Sequence, residues 1–286
     1  VLAWWLARDP EPAVPTHITA QNAAEQQLSK NPLLRAVLFG TALSGAASFI
    51  YEIVWIRMLS MAVGSTVHAF ELMLASFIAG IALGGLWIRK HADRTGAPLR
   101  MVGWMQIFMG VAALASLAVY ANAFSWVGWL INALSKTDGA YTLFHVGTAT
   151  IAILIMLPAA FFAGTTLPLF TVALLRGGLG ERAIGRVYAW NTLGSIVGVF
   201  AAIHFLIPTV GLKLTLCVAA LLDLGIGLAL LRWQVDSNRQ MLRFSVAAGL
   251  AAVALIVGVR IPYDPMTLAS GVFRYGYSQI NEHTKM

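Results

Sequence analysis

Long apolar runs alternate along the chain with short polar interruptions. Seven apolar stretches stand out, at 33–62, 67–89, 99–122, 143–176, 184–208, 212–232 and 242–260. Each reaches or approaches the length of about 20 residues that a helix needs to cross a hydrocarbon core. Their apolar residues run continuously instead of alternating, which predicts helices and argues against a transmembrane barrel. Asn31 followed by Pro32 is a helix-start signal, a side-chain cap and then a proline suited to the first turn. The fourth stretch is too long for one straight span. It reads as a kinked helix, two passes or a re-entrant pair. Phe124–Leu134, with Trp126 and Trp129, is too short to span and reads as an interfacial segment, where Trp is favoured.

The polar parts set the domain boundaries. Residues 1–8 read as the end of a preceding helix, broken by Arg8, Asp9, Pro10 and Pro12. Residues 9–32 form a polar linker, 33–260 a transmembrane bundle, and 261–286 the start of a further, C-terminal domain. No secretory signal pattern opens the chain. The fold class predicted is all-α, a polytopic membrane bundle of six to seven spanning helices.

Composition sharpens this. Of 286 residues, 59% are hydrophobic and 11% charged, against about 25% charged in soluble domains. Mean hydropathy is +0.77. A soluble enzyme and a disordered chain are both excluded. The net charge of +7 does not point to nucleic acid, because no basic stripe with interleaved aromatics is present. The single cysteine, Cys217, has no partner for an internal disulfide. No histidines pair at metal-ligand spacing, so no metal is expected.

The positive charges give an orientation instead. With linker 9–32 cytoplasmic, that side holds Arg8, Lys30, Arg35, Arg89, Lys90, Arg94, Arg100, Arg176, Arg182, Arg186, Arg232, Arg239 and Arg243. The intervening outer loops hold only Arg57, Lys136 and Lys213. This is the positive-inside pattern of an inner-membrane protein. An odd count of seven spans places the C-terminus outside, and one span more or fewer reverses it.

Several polar residues resist the role of plain membrane filler. Glu52 is the clearest, since an ionisable group in a span is costly and should face protein or water. Thr41, Ser44, Ser48 and Glu52 form one polar stripe at helical spacing. Either the stripe packs helices, or Glu52 binds a cation or carries a proton. Arg57 lies about 140° around the helix from Glu52 at ~100° per residue, so it is a poor partner on the same helix. Asp223 is a second candidate for an interior polar contact. Glu71 reads as solvated at a helix end. Pro158 and Pro168 flank Gly164, Thr165 and Thr166. That pattern is either a kinked helix whose threonines satisfy its own backbone or a broken helix lining a substrate site. Gly194 and Gly198, like Gly80 and Gly84, have the spacing that lets helices approach closely. Asn191 joins Glu52 as a cavity-lining candidate. No catalytic constellation is assembled among these residues.

Two resemblances follow. Gly84-Gly85-Leu86 with Ala92-Asp93-Arg94-Thr95-Gly96 resembles the loop between the second and third spans of major facilitator transporters. Arg89-Lys90-His91 lengthens its spacing, and Ala97-Pro98 replaces its basic pair. The stretch Gly45–Arg57, with Gly64-Ser65-Thr66, Pro158, Gly164–Pro168 and Gly185–Gly194, resembles the membrane region of bacterial fused facilitator/spermidine synthase proteins. It covers most of residues 33–230. The resemblance implies a half-facilitator bundle preceding a soluble aminopropyltransferase-like domain. That domain would transfer an aminopropyl group from decarboxylated S-adenosylmethionine to putrescine. Tyr263–Tyr275 resembles the lead-in to it. On this reading the chain anchors such an enzyme or handles its polyamine. It has no cofactor of its own, and its partners are the lipid bilayer and polyamine. The alternative is a facilitator-type transporter half with no enzyme attached. An outer C-terminus conflicts with a cytoplasmic donor, so the span count bears directly on the function.

Overall fold

The computed structural model describes residues 31–134, 138–262 and 272, and all of its regular structure is helical among those residues. The expected linker and almost all of the expected C-terminal segment lie outside the described residues. The elements are α1 Pro32–Val63, α2 Val67–His91, α3 Pro98–Ala133, α4 Asp138–Arg176, α5 Arg182–Ala201, α6 Ile207–Trp233 and α7 Asn238–Arg260. A short 3-10 turn, Ala92–Arg94, follows α2, and a π turn, Ala202–Leu206, joins α5 to α6. Asn31 caps α1 as its sequence position predicts, its Oδ1 accepting from Leu33 N at 2.9 Å.

Six helical segments are long and apolar enough to cross a membrane. One of them, Arg182–Trp233, has 52 residues, about 78 Å of helix at ~1.5 Å per residue. It does not run straight. Gly211 sits at φ 77°, ψ 173°, a conformation essentially confined to glycine. The packing shows the chain reversing there. On α5, Gly194 and Gly198 lie against Ala42 and Ala46 of α1, in parallel register. On α6 the order inverts, with Ile226 near Gly40 and Asp223 bonded to Tyr51. The sequence therefore reads correctly as breaking between 208 and 212, and the bundle has seven helical legs.

Two sequence expectations differ from what is seen. Phe124–Leu134 is not a separate interfacial segment. It continues α3, a helix of 36 residues, because Phe124 and Val127 are buried in the core while Trp126 and Trp129 point outward. The fourth stretch is one helix of 39 residues passing through Pro158 and Pro168. Neither two passes nor a re-entrant pair forms.

The main pairings are α2 with α4, α3 with α4, α1 with α5 and α3 with α6, followed by α1 with α6. Dividing the first six helices into two sets of three leaves this pattern unchanged when the sets are exchanged. The glycines explain the pairings. A Cβ on Gly84 would stand 1.9 Å from Phe161 O of α4, and one on Gly194 would stand 1.9 Å from Ala42 O of α1. In each set the second helix thus presents a Gly-x-x-x-Gly face to the first helix of the other set. Gly103, Gly110 and Gly227 bring α3 and α6 together in the same way. Trp55, Tyr51, Tyr120, Phe124 and Phe170 fill the interior.

Candidate functional site

The polar groups fall into three places. The first is the bundle core. Asp223 of α6 is wholly buried, and the Tyr51 hydroxyl of α1 donates to its Oδ2 at 2.8 Å. Asp223 Oδ1 has no hydrogen-bond partner among the described residues, and neither has the side-chain amide of the fully buried Gln106 on α3. Tyr51 stacks on Trp55 at 5.2 Å between ring centroids, and Trp55 Nε1 donates to Ser116 Oγ at 2.9 Å. Tyr120 donates its hydroxyl proton to Met58 O at 2.8 Å. The result is a row of aromatic side chains, each polar tip placed on α3 or α6 or on the α1 backbone. Asp223 was visible in the sequence as an acid in an apolar run. Its partner Tyr51, far away in sequence, was not.

The second place is the seam between α1 and α5. Asn191 Nδ2 donates to Thr41 O at 3.4 Å, and Ser195 Oγ donates to Asn191 O at 2.9 Å. A Cβ on Gly45 would stand 2.5 Å from Asn191 O, so Gly45 is what lets Asn191 approach. Thr41, Gly45, Ser48 and Glu52 share one face of α1 at ~100° per residue. Glu52 is half-buried on that face and has no hydrogen-bond or ion-pair partner among the described residues. Pairing it with Arg57 is not realised. Arg57 is exposed near the far end of α1. The α1–α5 register that sets 42 beside 194 and 46 beside 198 places Glu52 level with His204, within the π turn. Such turns occur often at functional sites. Glu52 and Asn191 thus lie on one seam, about three helical turns apart at ~3.6 residues per turn.

The third place is the polar end of the bundle, where α1, α3, α5 and α7 begin. Arg176, in the last turn of α4, reaches the turn after α2. Its guanidinium donates to Ala92 O and Asp93 O, both at 3.0 Å, and to Thr95 O. Three carbonyls at a helix end suit a cation there. Asp93 and Arg94, selected from the sequence as a motif, are exposed. The Asp93 backbone, not its carboxylate, makes the contact. Arg176 was missed as a functional residue, although a basic residue in the last turn of a helix was the available signal.

Thr165 and Thr166 are buried and bond within α4, to Phe162 O at 2.7 Å and Ala163 O at 2.8 Å. Gly164 seats α4 against Ile81 of α2. These residues lie apart from Glu52 and do not line a gap in the helix. At the opposite end, His68 Nδ1 and Glu71 Oε2 are 3.1 Å apart, both exposed, so Glu71 is partnered by histidine as well as facing solvent. Among the described residues no group of three His, Cys, Asp or Glu side chains is placed to hold a metal.

No protein-family model matches the chain, and no solved structure matches it. Three curated proteins do match in sequence. Each is called polyamine aminopropyltransferase, two from strains of Mycobacterium tuberculosis and one from Mycobacterium bovis. This chain is 26% identical to each over 253 residues, 84% of its own length and 45% of theirs. The chain therefore spans less than half the length of the curated relatives it matches. The similarity is distant, and it covers most of the helical bundle.

Proposed function

We propose that this chain is the membrane-embedded region of a polyamine aminopropyltransferase-like protein, built as half of a facilitator-type transporter. The observation that carries the reading is the match itself. A chain built around long apolar helices aligns along 84% of its length with 45% of the length of proteins called polyamine aminopropyltransferase. The remainder of such a protein then supplies the donor pocket, with decarboxylated S-adenosylmethionine as co-substrate.

Two features support the membrane part. Large apolar side chains cover the outside of the bundle, among them Leu193, Ile196, Val197 and Phe200 on α5. Soluble proteins rarely leave patches of that size exposed. The exchange-invariant helix pairing matches the 3+3 repeats of facilitator halves. It also favours the second reading, a transporter half with no enzyme.

In either case the bundle handles a cation through Glu52. A half-buried carboxylate without a partner among the described residues suits the ammonium groups of a polyamine in a low-dielectric seam. The test has two arms. Spermidine binding to the purified chain should weaken on the order of tenfold in Glu52→Gln, the loss of one charge-assisted contact. Unchanged binding would remove Glu52 from the account. The reading frame beyond Met286 should encode a Gly-rich nucleotide-binding loop, and the protein it specifies should transfer an aminopropyl group to putrescine. A frame without that segment would leave the transporter reading.

A further inference from the structure

Polar atoms from two helices in the bundle interior have no partner among the described residues. They are Oδ1 of Asp223 on α6 and both side-chain amide atoms of Gln106 on α3. Both residues are fully buried. The helix register brings them together. α3 and α6 run antiparallel, with Gly103 against Gly227 and Leu231, and Gly110 against Ala220 and Leu224. That puts Gln106 within about one turn of Asp223 along the axis, at ~3.6 residues per turn. At ~100° per residue, Gln106 stands between the α3 face that meets α6 and the side of Ser116, which meets Trp55 of α1. Asp223 likewise stands between Gly227, which faces α3, and Ile226, which faces α1. The Tyr51 hydroxyl of α1, bonded to Asp223 Oδ2, closes the third side of this wedge.

The wedge has a chemistry of its own. Its unfilled acceptors are oxygens: Asp223 Oδ1, Gln106 Oε1 and the remaining lone pair of Tyr51 Oη. Oxygen donors of this kind suit a hard cation. A carboxylate charged at this depth needs a counter-charge, and none comes from the helices that enclose it. Arg35, Arg57 and Arg232 are exposed towards helix ends, and Arg100 lies in the first turn of α3. Lys213 donates to Val259 O and Ile261 O, and Arg176 of α4 is bonded to the turn after α2. Glu52 lies on the α1–α5 seam, about 100° around α1 from Tyr51, so the wedge has one carboxylate. One carboxylate balances a single charge, whereas divalent sites gather more. A bound water would serve the hydrogen bonds and leave the charge uncompensated.

We infer that Asp223, Gln106 and Tyr51 form a site for one monovalent metal cation of the Na+ class, in the wedge between α1, α3 and α6. The ion fills Asp223 Oδ1, which without it costs stability as an unsatisfied acceptor. It also ties the two sets of three helices together, since Tyr51 and Gln106 belong to the first set and Asp223 to the second. The site is separate from the Glu52 seam and stands whether or not Glu52 binds polyamine.

The test is binding of radioactive Na+ to the purified chain in detergent, with choline as the background cation at constant ionic strength. One Na+ should bind per chain, saturably, and the unfolding midpoint should rise by roughly 5 °C at saturating Na+. Asp223→Asn, close in shape, should abolish both effects. Gln106→Leu and Tyr51→Phe keep the charge and should weaken binding on the order of tenfold. They keep the inference testable if Asp223→Asn fails to fold. Glu71→Gln, near the start of α2, should bind as the unaltered chain does. Loss of binding in Glu52→Gln with none in Asp223→Asn would move the ion to the seam and overturn the inference. A midpoint that rises equally in Na+ and choline would reduce the effect to bulk salt and overturn it too. A midpoint that rises as pH falls, with no Na+ dependence, would assign the wedge to a proton. No response to either would assign it to a buried water, and both results overturn the cation site.

Discussion

Tyr51 and Asp223 show what a buried polar group demands of a single residue. With Tyr51→Phe, neither oxygen of the buried Asp223 keeps a protein partner among the described residues. The cost should be about 1–3 kcal/mol, the penalty for an unsatisfied buried polar group. It should be read as a lower midpoint in thermal or denaturant unfolding in detergent. Adding Asp223→Leu to that variant removes the unsatisfied group and should recover most of the loss. A double variant no better than the single would mean that Asp223 has another role in the bundle. Asp223 and Glu52 were legible in the sequence because a charge in an apolar run is conspicuous. Tyr51 and Gln106 were not, because hydropathy does not mark a tyrosine or glutamine in a span, and their surroundings come from distant helices.

The glycines act at the scale of the element. Gly84 and Gly194 stand where a Cβ would overlap a backbone carbonyl of the neighbouring helix. Gly84→Val or Gly194→Val should therefore prevent the α2–α4 or α1–α5 pairing and abolish recovery of folded protein, as judged by size-exclusion chromatography in detergent. Gly185 and Gly225 have open space around the same position. Alanine there should be neutral, or stabilising by about 0.5–1 kcal/mol, the usual mid-helix difference. If all four behaved alike, close helix approach would not be what selects glycine. The spacing of Gly80–Gly84 and Gly194–Gly198 announced close packing from sequence alone, but not the partners, which depend on how the two sets of three helices interlock. The Pro158–Pro168 segment left a kinked helix and a broken one both open for a related reason. Proline signals a possible break, yet α4 stays continuous while Gly164 packs on α2 and the threonines bond within the helix. Gly211 is the opposite case. Gly211→Ala would force a side chain into the positive-φ reversal between α5 and α6, and should cost about 1–3 kcal/mol in the same unfolding measurement.

At the scale of the whole molecule, charge and topology agree. Among the described residues, Arg35, Arg89, Lys90, Arg94, Arg100, Arg176, Arg182, Arg186, Arg232, Arg239 and Arg243 lie at the end where α1 starts, and Arg57, Lys213 and Arg260 lie at the other. The alternating runs made this asymmetry readable before any fold was known. Seven legs also place Arg260 at the end opposite Pro32, so under the proposed function an outer C-terminus would still conflict with a cytoplasmic donor. The most direct measurement is labelling of single cysteines, in a Cys217→Ala background, with a membrane-impermeant maleimide in intact cells. Cysteines at Gly96, Gly180 and Ser237 should stay unlabelled until the membrane is opened. Those at Gly64, Leu134 and Ile261 should label at once. Labelling of both sets from the same side would contradict the seven-pass bundle, and with it the account of where the polyamine chemistry stands relative to the membrane.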